Sequence, residues 1–204
     1  MAEYSLIVRG LEHSGNGLPG VLVRDLLDAV DQGARGAVRL RLEGRSRAGG
    51  GPAPAWVADA ATFDFVGLLE GESGVLLRIP ALRETLPERF VQHDLFPVVE
   101  PSETALSLFG TSLRDALGGD AESDAYDEPL LSTFAEEFKQ VFRHGVQAVE
   151  MRNGRPGVRP LHVTPAGIQV VERLKRQTPR PPRSSCGYGG RHSPQRPRLH
   201  ARPG

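Results

Sequence analysis

Hydrophobic side chains recur along the first quarter of this chain at spacings that predict a strand, a helix and a second strand. Residues 4–11 alternate between apolar and polar positions, which is typical of a strand. Residues 19–32 carry an apolar stripe at helical spacing, with Pro19 suited to the first turn and Gly33 to the end. Residues 38–43 alternate again and predict a strand with one buried and one solvated face.

The middle of the chain predicts a β-hairpin followed by two helices. The hairpin strands are expected at residues 62–70 and 74–80, around a turn that contains glycine. The helices are expected at residues 101–117 and 129–143, with an acidic linker at 120–128 between them. The second helix has the strongest apolar stripe in the chain, formed by Leu130, Leu131, Phe134, Phe138, Val141 and Phe142.

The last ordered elements are two strands and a helix. The strands are predicted at residues 146–152 and 158–163, and Thr164 is expected to cap the final helix. The order is β-α-β-β-β and then α-α-β-β-α, which indicates an α+β fold. We predict an N-terminal subdomain, a helical subdomain with a β-hairpin, and a disordered tail, at residues 1–100, 101–178 and 179–204.

A formal net charge of zero conceals an acidic body and a basic tail. Residues 179–204 contain six arginines and no acidic side chain, so the first 178 residues contain 19 basic and 25 acidic ones. An acidic body is a poor overall match for a phosphate backbone. The single cysteine, Cys186, cannot form a disulfide within the chain. Since no signal-peptide pattern or membrane-spanning apolar run is present, a cytoplasmic location away from membranes is predicted.

A glycine-rich motif lies between the first predicted strand and helix. Gly15, Gly17 and Gly20 match the G-x-G-x-x-G pattern, whose glycines let the backbone approach a pyrophosphate at a helix N-terminus. Pro19 removes one N–H donor, the loop is longer than the motif needs, and a hairpin follows in place of a parallel sheet. A connecting loop is therefore favoured, and a nucleotide-binding enzyme is the alternative.

The C-terminal half suggests DNA binding as a second alternative. The segment from Val149, through the turn and Thr164, to Leu174 resembles the wing and closing helix of bacterial winged-helix regulators. The resemblance implies that Arg152, Arg155 and Arg159 contact phosphates. The preceding helix, which would enter the major groove, departs from this pattern because it carries the acidic pair Glu136-Glu137.

No residue pattern predicts a catalytic residue, a metal site or a cofactor. The acidic linker has the composition of a solvated segment, and its spacing fits no calcium-binding loop. The histidines lack partners at helical spacing, and no serine lies in a nucleophile elbow. The sequence therefore favours a binding or regulatory module over an enzyme, with a protein as the expected partner and DNA as the alternative.

The composition of the tail suggests a shifted reading frame. When the degenerate codons of residues 192–204 are read one base later, they are compatible with the peptide IRHSDRAFTLVL. That peptide resembles a segment of uncharacterised proteins of high-GC bacteria, which carry a further β-rich region there. The resemblance implies that the C-terminus is frameshifted, and it brings no assigned function.

Overall fold

The computed structural model describes residues 1–11, 17–47, 53–90, 99–100, 102–154 and 157–177. The strands are β1 (Ala2–Arg9), β2 (Asp64–Leu68), β3 (Gly74–Ile79), β4 (Ala148–Asn153) and β5 (Leu161–Val163). The helices are α1 (Gly20–Glu43), α2 (Ala55–Ala60), α3 (Leu82–Thr85), α4 (Ala105–Gly118), α5 (Glu128–Phe142) and α6 (Pro165–Gln177), with a 3-10 turn at Pro87–Phe90. None of the described helices is both long and apolar enough to cross a membrane.

All five strands form one antiparallel sheet in the order β2-β3-β1-β4-β5. The predicted α+β class is confirmed, and so are the two predicted hairpins, β2–β3 and β4–β5. The central strand β1 pairs with β3 on one side and with β4 on the other. The parts of the chain that the sequence assigned to two subdomains therefore contribute strands to the same sheet.

The core lies between one face of this sheet and the helices. The side chains of Tyr4, Leu6 and Val8 in β1 are buried in it. On the helical side, the rings of Phe109 and Phe134 meet edge to face, with centroids 5.6 Å apart. The apolar stripe predicted for α5 is buried as expected, except that Phe142 is only half-buried against the core. The core therefore joins residues from both halves of the chain.

The strand predicted at residues 38–43 is wrong, because these residues are the last turns of α1. The helix runs through Gly33, where the sequence suggested an end, and stops at Gly44 in a left-handed conformation. The ring of Phe109 fills the space beside Gly33, so tertiary packing overrides the low helix propensity of glycine. Within the misassigned segment, Arg39 and Glu43 form an ion pair one turn apart that also supports the helix.

Candidate functional site

The structure describes part of the glycine-rich motif. Gly15 lies outside the described residues, whereas α1 begins at Gly20 and Pro19 precedes it without a side-chain cap. A β-carbon at Gly17 or at Gly20 would meet no atom within 4 Å. Neither glycine lines any of four prominent clefts among the described residues. Nucleotide binding at this motif stays a prediction from the sequence.

The arginines expected to contact DNA lie in and around the β4–β5 hairpin. Arg152 donates hydrogen bonds to Glu150 at 2.6 Å and to Glu72 at 3.2 Å. Arg159 is exposed, and its carbonyl oxygen accepts a hydrogen bond from Arg114 at 3.4 Å. Arg155 lies outside the described residues. Because the hairpin belongs to the central sheet, Arg152 lies between Glu150 of its own strand and Glu72 of the turn between β2 and β3.

These carboxylates and arginines form one network on the sheet face that the helices do not cover. Arg9 donates to Glu150 at 3.0 Å and to Glu72 at 3.3 Å, so each glutamate bridges the same two arginines. Hydrogen bonds from Arg152 and then Arg9 lower the pKa of Glu150, against the effect of its burial. Ile7 is fully buried and lies opposite Glu150 in the register, so the network shields an apolar side chain. The network thus stabilises the sheet, and DNA contact by Arg152, Arg155 and Arg159 stays a prediction from the sequence.

The strand β2 forms one edge of the sheet and pairs only with β3 among the described strands. Phe65, Val66 and Leu68 are 48%, 44% and 51% exposed, although each is a large apolar residue. Phe65 pairs with Leu77 and Leu68 with Val75, both of which are fully buried. Phe65 and Leu68 therefore extend the core-side face of the sheet past the edge of the helical layer. They form an exposed apolar patch.

The main chain of β2 is open on its outer side. No strand pairs with that side in the described part of the chain, so it presents unpaired N–H and C=O groups. The register shifts between Phe65 and Gly67, which makes Val66 the extra residue of a β-bulge. Bulges of this kind are common at sheet edges and next to binding sites. Strand, bulge and apolar side chains together define the feature that we call the β2 edge, residues 64–68.

The chain segment that contains the β2 edge is acidic. Residues 53–74 contain no lysine or arginine, and their acidic side chains are Asp59, Asp64, Glu70 and Glu72. Glu72 is neutralised by the arginines of the network, whereas Asp64 and Glu70 form no ion pair with any described residue. The edge therefore combines apolar side chains with two carboxylates that form no ion pair, although Arg78 lies opposite Asp64 in the register.

Local structure accounts for His144 and for two carboxylates in or beside the acidic linker. His144 lies 2.8 Å from Asp25 and joins the end of α5 to α1. In the acidic linker, Asp127 caps α5 by accepting from the N–H of Leu130. Asp115, at the end of α4, accepts a hydrogen bond from Ser123 of this linker. No group of three potential metal ligands occurs within the described ranges.

Sequence reasoning missed the β2 edge because the pattern at residues 62–70 predicts a strand but not its position in a sheet.

Comparison of the chain with protein-family models, with curated proteins and with solved structures gave no match.

Proposed function

We propose that this chain is a protein-binding module that takes an extended segment of a partner as an additional strand beside β2. The observation that carries the proposal is the exposure of three large apolar side chains on a five-residue edge strand. An open edge supplies main-chain hydrogen bonds, and alternate side chains of an added strand supply specificity. The opposite edge, β5, has only three residues and offers far fewer main-chain hydrogen bonds and side-chain contacts.

The charge around the β2 edge favours a particular kind of partner segment. Asp64 lies opposite Arg78 in the register, but Arg78 forms its ion pair with Glu3. Asp64 and Glu70 form no ion pair with a described residue, so a segment with lysine or arginine among its apolar residues would neutralise them. A second copy of this chain would bring the same acidic side chains to the interface. We therefore assign the edge to a different protein with a basic and apolar strand.

The direct test is selection of binding peptides from a displayed random library. The chain would be the target, and the double variant Phe65→Lys/Leu68→Lys would be used for counter-selection. We expect the selected peptides to alternate apolar and basic residues and to bind the double variant at least about tenfold more weakly. Both substituted side chains are about half exposed, so the variant should keep the thermal stability of the parent.

The matched control is Val158→Lys, which places a lysine at another exposed apolar residue outside the β2 edge. It should leave peptide binding unchanged. Equal binding of the peptides to the parent and to the double variant would refute the proposal. Sedimentation equilibrium provides a second readout: a dimer of the parent chain that the double variant disrupts would identify a second copy as the occupant and contradict a basic partner.

A further inference from the structure

A cleft between α1 and α5 shares no lining residue with the β2 edge. Its volume is about 380 Å³, which is within the range of small-molecule sites. Arg35 and Arg39 of α1 line it together with Arg47 from the loop that follows the helix. Glu136 and Glu137 of α5 line it as well. The two helices therefore bring opposite charges to one cavity.

Arg39 is the most firmly held of these side chains. Only 7% of its side chain is exposed, and its Nε donates to Glu43 at 2.8 Å. Its two terminal nitrogens have no hydrogen-bond partner among the described residues, and no described side-chain nitrogen is both buried and unpartnered. The terminal nitrogens therefore keep a small exposed area, and Arg39 lines the cleft. A guanidinium fixed in this way is prepared for a carboxylate or phosphate.

Arg47 is positioned by a clamp between its loop and α5. The N–H and the hydroxyl of Ser46 both donate to the carboxylate of Asp127, at 2.8 and 2.5 Å. Asp127 in turn caps α5 through the N–H of Leu130. Arg47 itself forms no ion pair or hydrogen bond with a described residue. The clamp thus fixes the main chain next to Arg47, whose exposed side chain lines the same cleft as Arg39.

The α5 side of the cleft has the opposite character. Neither Glu136 nor Glu137 forms an ion pair with a described residue. Burial raises the pKa of Glu137, and the nearby carboxylates of Asp28, Glu136 and Asp25 raise it further. Negative charge at Glu137 is therefore unfavourable in the free protein, and a ligand cation beside it would relieve that cost.

We propose that this cleft binds a small zwitterion, namely an amino acid or a short peptide. Its carboxylate contacts Arg39 and Arg47, and its ammonium group contacts Glu137. A simple anion would satisfy only the arginines, and a simple cation only the glutamates. A ligand with both charges satisfies both sides of the cleft in one binding event.

The test is a calorimetric titration of the full chain with the free amino acids and with diglycine. Propionate and ethylammonium, which carry one charge each, serve as ligand controls. At least one zwitterion should bind the chain saturably. Each single-charge compound should bind the chain at least about tenfold more weakly than that zwitterion does. Absence of saturable binding by every zwitterion would overturn the proposal, and so would equal affinity for a single-charge compound.

Variants of the lining residues test whether the zwitterion binds in this cleft. Arg47→Gln and Glu137→Gln should each weaken zwitterion binding at least about tenfold. Arg83→Gln, which removes an exposed cation that lines a different cleft, should not change it. Thermal melting of each variant confirms that it is folded before titration. Unchanged binding by folded Arg47→Gln and Glu137→Gln proteins would overturn the assignment to this cleft.

Discussion

The ring of Phe109 occupies the space that a β-carbon on Gly33 would need, and this contact brings α4 against the middle of α1. Alanine is favoured over glycine in a helix by about 1 kcal/mol, so propensity predicts that Gly33→Ala is stabilising. Phe109 is almost fully buried and cannot move aside. We therefore expect Gly33→Ala to lower the free energy of unfolding by about 1–3 kcal/mol, measured by urea denaturation.

Gly118 provides the control for this prediction. It lies at the end of α4, and a β-carbon there would meet no atom within 4 Å. Gly118→Ala should be neutral or stabilising by up to about 1 kcal/mol. If both substitutions had the same effect, close packing would not be the reason that α1 continues through Gly33.

The same contact explains where prediction from the sequence failed. In residues 38–43, apolar side chains alternate with charged ones. This alternation fits a strand, but it also fits a helix in which Arg39 pairs with Glu43 one turn away. The end expected at Gly33 depended on local propensity, whereas the actual helix depends on a side chain that lies far away in sequence. No local pattern contains that information.

Elements with strong periodicity were predicted well. The helix expected at residues 129–143 is found at Glu128–Phe142, and the hydroxyl of Thr164 accepts from the N–H of Gly167 as expected of a cap. The candidate site was not predicted, because exposure of Phe65 depends on the order of strands. That order is set by β1, which pairs with strands from both halves of the chain.

Truncation at the centre of α5 should be far more costly than truncation at the β2 edge. Phe138 is buried, so Phe138→Ala should lower the free energy of unfolding by about 3–5 kcal/mol. Phe65 is about half exposed, and Phe65→Ala should change that free energy by only about 0.5 kcal/mol. Chemical denaturation of both variants measures the difference. Similar losses would mean that Phe65 is part of the core.

The contact between Asp25 and His144 should make stability depend on pH. Hydrogen bonds with His144 and then with Arg24 lower the pKa of Asp25 below its ordinary value of 3.8. The ionised carboxylate therefore stabilises the fold above that pH, and the stabilisation is lost as the pH falls through the lowered pKa. Asp25→Asn should melt below the parent at pH 7, and the two curves should converge in acid.

Asp124→Asn is the control for this pair, since Asp124 is exposed and forms no ion pair with a described residue. Its melting temperature should follow that of the parent at every pH. A constant difference between Asp25→Asn and the parent down to strongly acidic pH would show that the carboxylate charge is not what stabilises α1 against α5.

Glu137 should behave in the opposite way to Asp25. Burial first, and then the carboxylates of Asp28, Glu136 and Asp25, raise its pKa above the ordinary 4.5. Its ionisation therefore weakens the fold at neutral pH, and this penalty disappears as the pH falls towards the ordinary value. We expect Glu137→Gln to melt above the parent at pH 7 and at the same temperature as the parent below pH 4.5. A variant that melts below the parent at pH 7 would contradict this electrostatic account.

Amide hydrogen exchange shows whether the β2 edge binds an extended partner segment. The measurement compares the free chain with the chain saturated by a selected peptide. Exchange in residues 64–68 should slow at least about tenfold in the complex, because the added strand accepts hydrogen bonds from the outer N–H groups. Exchange in β5, at the opposite edge, should not change. Unchanged exchange at residues 64–68, or new protection confined to another part of the chain, would contradict the account.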